Sequence, residues 1–415
     1  MTAFKNMKTI KLIPLISALF GMTFLMQGQI TYDIMLTPTD SPFRSFVARL
    51  ENLPEAERKL AVEMFIADNP VTPIIEHDSM VHLYFYGTAA SVLIHGDYQN
   101  GWARPDTLAS TSCGGTSFFY ITYVVPVNAR LDYVLQVGGN TQTDPRNPRI
   151  TPSGYGPHSE IAMPGLHPDP SRLNRKDIAH GKMDTLLLTS NLPDILPREA
   201  LVYLPPGYKK LDSLPVLYVL DGLEALVFMN YRYVLDNLIA DGKIPPVMAV
   251  FIPPADRSGE FMGNRKEAFV SALCDDYVPQ VDKAYRTDPR PEKRGITGIS
   301  AGGYLALYTG LTRPEVFLCS AGQSPSITTD LHLARKSFPK KNKANAALRL
   351  YFDVGTYDLP AGTLGPLSFA EAARNLDQQM KKQGIPHVFN EFPDGHEWAN
   401  WRERTDDILL YFFSE

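Results

Sequence analysis

Cysteine is scarce, with three residues, Cys113, Cys274 and Cys319, in a chain of 415. A disulfide framework would show more cysteines in a shorter sequence, so cross-links are not what holds this chain together. None has a CxxC partner, and packed thiols are the expectation for Cys274 in a helix and Cys319 in a buried strand. No cysteine follows the amino-terminal apolar run, which argues against a lipoprotein. Long blocks of one charge are missing too. The 40 basic and 45 acidic residues are dispersed and leave a net charge of −5. Bulk electrostatics therefore offer no attraction to nucleic acid or to an anionic membrane. The apolar run from Leu12 to Met26 falls short of the about 20 residues a spanning helix needs. With Lys5, Lys8 and Lys11 before it and Gly28 after it, it reads as a signal peptide over residues 1–28. The expected location is periplasmic or secreted, with no membrane span after leader removal.

What is present is the composition of a globular protein, 44% hydrophobic and 20% charged, at a length that suggests two domains. Residues Glu55 to Ala67 read as an amphipathic helix with Ala61, Met64 and Phe65 on one face. Four aromatic and β-branched runs follow, Val81 to Gly87, Ala90 to Tyr98, Ser117 to Pro126 and Arg130 to Gly139, each bounded by turn residues. Short strands at this spacing argue for an all-β, immunoglobulin-like sandwich, which with the helical segment occupies residues 29–165. Between Asp144 and Pro170 the chain turns to Pro, Gly, Ser and His, as a surface-hugging connection would, with the linker at 166–176. From 177 to 415 strand and helix alternate. LPVLYVLD, PVMAVFIP, RGITGIS, FLCSAGQ, LRLYFDVG and HVFNEF are apolar strands, with helices between them at about 230–240, 265–285, 302–311 and 369–383. Such a pattern builds a mostly parallel sheet covered by helices on both faces.

Gly298-Ile299-Ser300-Ala301-Gly302 ends one of those strands and begins a helix. A sharp strand-to-helix turn needs glycines where backbones approach closely, and it lifts the serine hydroxyl to a helix N-terminus above the sheet. A serine hydroxyl attacks well only when a base takes its proton. His396, in the loop after the final strand, is the expected base. Asp358, after the preceding strand, is the expected acid, with Glu371 the second candidate and Asp353 structural. This order, Ser, Asp, His, is that of an α/β-hydrolase. Ala301 N–H and the N–H of Leu223 or Gly222, in the Asp221-Gly222-Leu223-Glu224 loop, are the expected oxyanion donors. No metal or cofactor is expected, since His396-Glu397-Trp398-Ala399-Asn400 lacks the second histidine of a zinc pair.

These segments resemble the enterochelin (ferric enterobactin) esterase-like branch of the esterase D superfamily. VLYVLDG, RGITGISAGGYLALYTGLTRPEVF, VGTYD and DGHEWANWR are similar to its motifs, in its order. FYGTAASVLIHGDYQNGW, DPRNP and SGYGPHSEIAMPG are similar to the early-set sandwich, related to glycogen-binding modules, that precedes the hydrolase there. The resemblance implies ester or lactone cleavage of a small-molecule substrate through Ser300, His396 and an acid. By the same resemblance the loop holding Arg257 and Glu260 is expected to face substrate, and Arg265 is a weaker candidate contact. The sequence departs from the siderophore esterases at Gly322-Gln323-Ser324-Pro325-Ser326-Ile327, which carries no aromatic residue. The same superfamily holds feruloyl and acetyl-xylan esterases and mycolyl acyltransferases, so these are alternative activities. A glycan-binding protein is the alternative outside enzymes. Trp102 is expected to be buried or capping rather than a sugar platform, and the sandwich is expected to pack over the hydrolase mouth.

Overall fold

A computed structural model describes residues 40–99, 101–338 and 347–414. The expected signal peptide lies outside them. The chain divides into two compact units, Met1–Ala48 and Arg49–Glu415. Of the first, the described residues 40–48 take in only the start of helix Pro42–Asn52. Everything that follows concerns the second.

Its amino-terminal part is antiparallel. The strands are β1 (Ile74–Glu76), β2 (Met80–Gly87), β3 (Val92–Gly96), β4 (Asp106–Thr107), β5 (Ala109–Ser112), β6 (Ser117–Val124), β7 (Arg130–Val137), β8 (Asn140–Gln142), β9 (Ile150–Thr151) and β10 (His158–Ala162). One sheet has the order β1-β2-β6-β5 and the other β4-β3-β7-β10-β9, with β8 paired to β7. Inward residues of both, among them Val81, Leu83 and Phe119 from the first and Ile94, Leu131 and Leu135 from the second, share one apolar core. The four sequence-read strands correspond to β2, β3, β6 and β7. The segment read as a connection holds two further strands, β9 and β10. Its polar composition hid them, because β10 buries His158 and Ser159 as well as Ile161 against its neighbours. Helix Glu55–Asp68 forms where expected, yet it buries Val62 while Met64 is exposed.

The carboxyl-terminal part is one sheet of β11 (Lys182–Leu188), β12 (Arg198–Leu204), β13 (Val216–Leu220), β14 (Met248–Ile252), β15 (Arg294–Ile299), β16 (Cys319–Gln323), β17 (Arg349–Tyr357) and β18 (His387–Gly395). The order is β11-β12-β14-β13-β15-β16-β17-β18. β11, β12 and β14 pair antiparallel, and the other pairings are parallel. Alternate residues of the central strands enter different cores. Val216, Tyr218 and Leu220 pack on one face, and Leu217 and Val219 on the other. Both faces are thus covered, as the continuous apolar strands require. Helix Phe369–Gln383 buries Phe369, Ala373, Leu376 and Met380, the stripe read from sequence, and Gly384 closes it at φ 74°. The helix expected over 265–285 is broken by a π-helical turn at Ala272–Tyr277. Pro279 sits just beyond, and its missing N–H gives the wider turn a local cause. All three cysteines are buried and free, and burial pushes the Cys274 thiol to about 12 and that of Cys319 to about 11. Among the described residues no helix is long and apolar enough to cross a membrane.

Candidate active site

In an open parallel sheet, side chains that must converge are carried at the carboxyl ends of neighbouring strands. Here Asp221 follows β13, Ser300 follows β15, Ser324 follows β16, Asp358 follows β17 and His396 follows β18. Ser300 opens helix Ser300–Thr312 directly from β15, and its φ of 52° is a left-handed conformation rare for a side-chain-bearing residue. The glycines around it have a packing cause. A Cβ at Gly298 would stand 2.5 Å from the carbonyl carbon of Gly302, and one at Gly302 would stand 2.8 Å from Asp221 Oδ2.

The structure brings Ser300, His396 and Asp358 into one hydrogen-bonded chain. Ser300 Oγ lies 3.0 Å from His396 Nε2, and His396 Nδ1 lies 2.6 Å from Asp358 Oδ1. In neutral histidine this geometry has Nδ1–H donating to the carboxylate and the serine hydroxyl donating to Nε2. The imidazole is wedged edge-on between Phe369 and Trp401, with centroids at 5.2 and 4.9 Å. Trp401 is fixed in turn, because its Nε1–H donates to Ser324 Oγ at 3.0 Å. Asp358 is buried, which opposes its ionisation. The charge and hydrogen bond of His396, with further bonds from Ser324 and the Leu359 N–H, outweigh burial and hold the carboxyl below its usual range.

The two other acids differ in kind. Glu371 is exposed and spends its side chain on the Ser368 N–H and hydroxyl, 2.9 Å each, as the cap of helix Phe369–Gln383. Asp353 is fully buried in β17 and pushed up to about 7 by that burial, against the nearby Arg404 at 3.2 Å. Arg404 also pairs with Asp394, so this buried cation ties β17 to the end of β18, two residues before His396.

Ala301 stands in the first turn of helix Ser300–Thr312, and Gly222 and Leu223 in the first turn of helix Gly222–Phe228, at the ends of adjacent strands. First-turn N–H groups have no partner within their helix and point along its axis towards an incoming anion. Asp221 enters the second helix at φ 56°. Arg257 clamps its carboxylate with Nε and Nη2 at 2.6 and 2.9 Å.

The expectation that Glu260 faces substrate is overturned. Glu260 is fully buried and makes a two-pronged pair with Arg198, 2.8 Å at each oxygen. A carboxylate so placed is stable only because the guanidinium meets it there. Arg257 is committed to Asp221, and Arg265 pairs with Asp256.

A cleft of about 1060 Å³ opens over Ser300, with His396, Glu397 and Leu359 in its wall. The amino-terminal part adds His95, Gln136 and His158 from β3, β7 and β10, and Trp102 and Tyr155 from the turns after β3 and before β10. Trp102 is anchored by Nε1–H donating to Asp97 Oδ1 at 2.8 Å, and its ring packs on His158 at 4.7 Å. Sequence reasoning passed over His95, His158 and Tyr155 because they precede the hydrolase pattern. The one available signal was their position in the HGDYQNGW and SGYGPH stretches.

A model of the family described as "Putative esterase" matches residues 196–412. The chain is 34% identical over 233 residues to the endo-1,4-beta-xylanase/feruloyl esterase of Xylanibacter ruminicola, covering 52% of this chain and 30% of that protein. It therefore spans less than a third of that relative's length. Among solved structures, the fold is similar to the enterobactin esterase of Shigella flexneri in the presence of enterobactin, with TM-score 0.64, 19% identity, and 81% and 94% of the two chains covered. It is similar to the ferric enterobactin esterase of Salmonella typhimurium, with TM-score 0.65, 18% identity, and 82% and 95% covered. Because the matched model spans more than half of the chain, and the α/β-hydrolase-like fold agrees with it, the protein belongs to the Esterase family.

Proposed function

We propose that this protein is a serine carboxylic-ester hydrolase in which Ser300 is acylated by substrate. The observation that carries the reading is the unbroken chain from Ser300 Oγ through His396 to buried Asp358. His396 Nε2 takes the hydroxyl proton as Oγ attacks the ester carbonyl. Asp358 holds the tautomer that leaves Nε2 free and stabilises the imidazolium that forms. The oxyanion is received by the N–H of Ala301 and that of Leu223 or Gly222. His396 then returns its proton to the departing alcohol, and the same base activates the water that releases the acyl group.

The substrate reading is an ester with a bulky acyl or alcohol part, since the cleft is large and walled by Trp102 and Tyr155. A feruloyl-type ester of a carbohydrate is favoured over a siderophore lactone by the 34% identity to a protein named in part as a feruloyl esterase. We read the amino-terminal sheets as an early-set, immunoglobulin-like sandwich. Two antiparallel sheets over one core support this, as do structural likenesses that cover more of the chain than the α/β part can supply. The lysine-flanked apolar run at residues 12–26 supports export.

The test is Ser300→Ala assayed on p-nitrophenyl acetate, methyl ferulate and a catechol lactone. A loss of about 10⁶ in kcat is expected on every substrate that the native protein turns over. A fluorophosphonate should label the native chain once and the variant not at all. Undiminished hydrolysis by Ser300→Ala would refute the nucleophile. Dominant transfer to an added alcohol would make the protein an acyltransferase instead.

A further inference from the structure

Beside the cleft, the end of β18 meets the amino-terminal sheets through a set of buried charged groups that the proposed ester chemistry does not use. Asp97, Asp132 and Glu397 are buried carboxylates, and Glu160 stands at their edge. Among the described residues, Arg130 is the guanidinium that stands with them. Its Nη2 is 2.9 Å from Asp132 Oδ1, its Nη1 donates to Asn400 Oδ1 at 2.6 Å, and its Nε is 3.6 Å from Glu160. Thr151 Oγ1 also donates to Asp132 Oδ1, at 3.2 Å. Asp97 accepts from Trp102 Nε1, from the Asp132 N–H at 2.9 Å and from Asn400 Nδ2 at 3.4 Å. Glu397 accepts from Ser153 Oγ at 3.2 Å. One buried guanidinium therefore faces three buried carboxyl groups, which a low-dielectric site cannot ionise together without a further cation.

His158 stands in the gap. It is 5% exposed, and its buried Nδ1 has no hydrogen-bond partner among the described residues. Nδ1 lies 3.8 Å from Asp132 Oδ2, the oxygen that Arg130 does not touch, and 3.9 Å from Glu397 Oε2. The three atoms all fall within 4.8 Å of one another. The 3.8 and 3.9 Å separations are too long for hydrogen bonds, but they suit atoms that share an ion through two bonds of about 2.0–2.2 Å.

We propose that Asp132, His158 and Glu397 form a divalent-cation site at the joint between the amino-terminal sheets and the segment that carries His396. One imidazole and two carboxylates are a donor set suited to Zn²⁺ or Co²⁺ rather than to Ca²⁺ or Mg²⁺, which favour oxygen alone. A divalent ion would offset carboxyl groups that Arg130 alone leaves unpaired. Because His158 and Glu397 also line the cleft, a remaining coordination position is open to water or substrate from that side. The ion would link β7 and β10 to the residue next to His396 and so brace the cleft wall against the base.

The experiment is calorimetric titration of EDTA-stripped, desalted full-length protein with Zn²⁺, alongside absorption spectra with Co²⁺. One saturating equivalent of Zn²⁺ is expected, together with visible Co²⁺ d–d bands that Zn²⁺ abolishes. His158→Gln/Glu397→Gln should lose that equivalent, while His95→Gln, which changes a cleft histidine outside the set, should keep it. No saturable Zn²⁺ binding tighter than about 100 µM by the native chain overturns the proposal. Retention of the equivalent by the double variant does so too. The native-chain arm stands even if the double variant does not fold, and neither arm depends on esterase activity.

Discussion

Asp358 shows how much a single residue's surroundings decide. It, Glu371 and Asp353 are all acids near the end of the chain's α/β pattern, yet one faces the imidazole, one caps a helix and one pairs with buried Arg404. Asp358→Asn should lower kcat by about 10⁴ with little change in KM, because the wrong tautomer is presented to Ser300. Glu371→Gln should leave kcat about unchanged, and a comparable loss in both variants would remove Asp358 from its role. The sign of the pH effect follows from the depressed pKa. An acid held below its unfolded value, near 3.8, contributes stability that is present above that value and is lost as pH falls through the folded pKa. Acid titration of the native protein should therefore show a loss of stability below about pH 4 that is shallower in Asp358→Asn. Ser300 and His396 were legible because motif and chain order single them out. Glu260 was misread because its partner, Arg198, lies 62 positions away, and no local pattern announces it.

At the scale of elements, local chemistry was the reliable guide. Helix Phe369–Gln383 carries its apolar stripe, its Ser368–Glu371 capping box and its Gly384 stop within one short segment. Ser368→Ala should cost about 1 kcal/mol, seen as a lower urea midpoint at unchanged slope with kcat retained. The turn that presents Ser300 is a different case, because its constraint is close packing of backbone on backbone. A methyl group at position 298 has no room beside Gly302, so Gly298→Ala should destabilise by about 1–3 kcal/mol and reduce activity together. An active Gly298→Ala protein of native stability would contradict the geometry of that turn. Helix Glu55–Asp68 was recognised as a helix but not for the face it buries. Periodicity gives the stripe, and the neighbour chooses which edge of it to cover.

For the whole molecule, the cleft is the product of two parts that share one compact unit. Trp102 and Tyr155 reach the cleft over Ser300 from inter-strand turns more than a hundred positions upstream. If that wall reads the substrate, Trp102→Ala should raise KM for methyl ferulate by about tenfold, the scale of one lost aromatic contact. Turnover of p-nitrophenyl acetate, whose acyl part is a bare acetyl with no aromatic ring, should change little. Equal losses on both substrates would show that Trp102 supports the fold through Asp97 rather than contacting substrate.

Alternating apolar strands and helices, the glycine-bounded Ser300 and the order of Ser300, Asp358 and His396 were determined by the sequence alone. Each depends on side-chain periodicity or on a turn whose constraints lie within a few residues. The tertiary structure decided what surrounds them, namely the burial of Glu260, the cleft wall from the upstream sheets and the charged joint at Arg130, Asp132, His158 and Glu397. Those features arise where chain segments as far apart as Arg130 and Asn400 are pressed together, 270 positions from one another. Burial then turns scattered polar residues into strongly interacting neighbours, and no spacing along the chain encodes which ones meet.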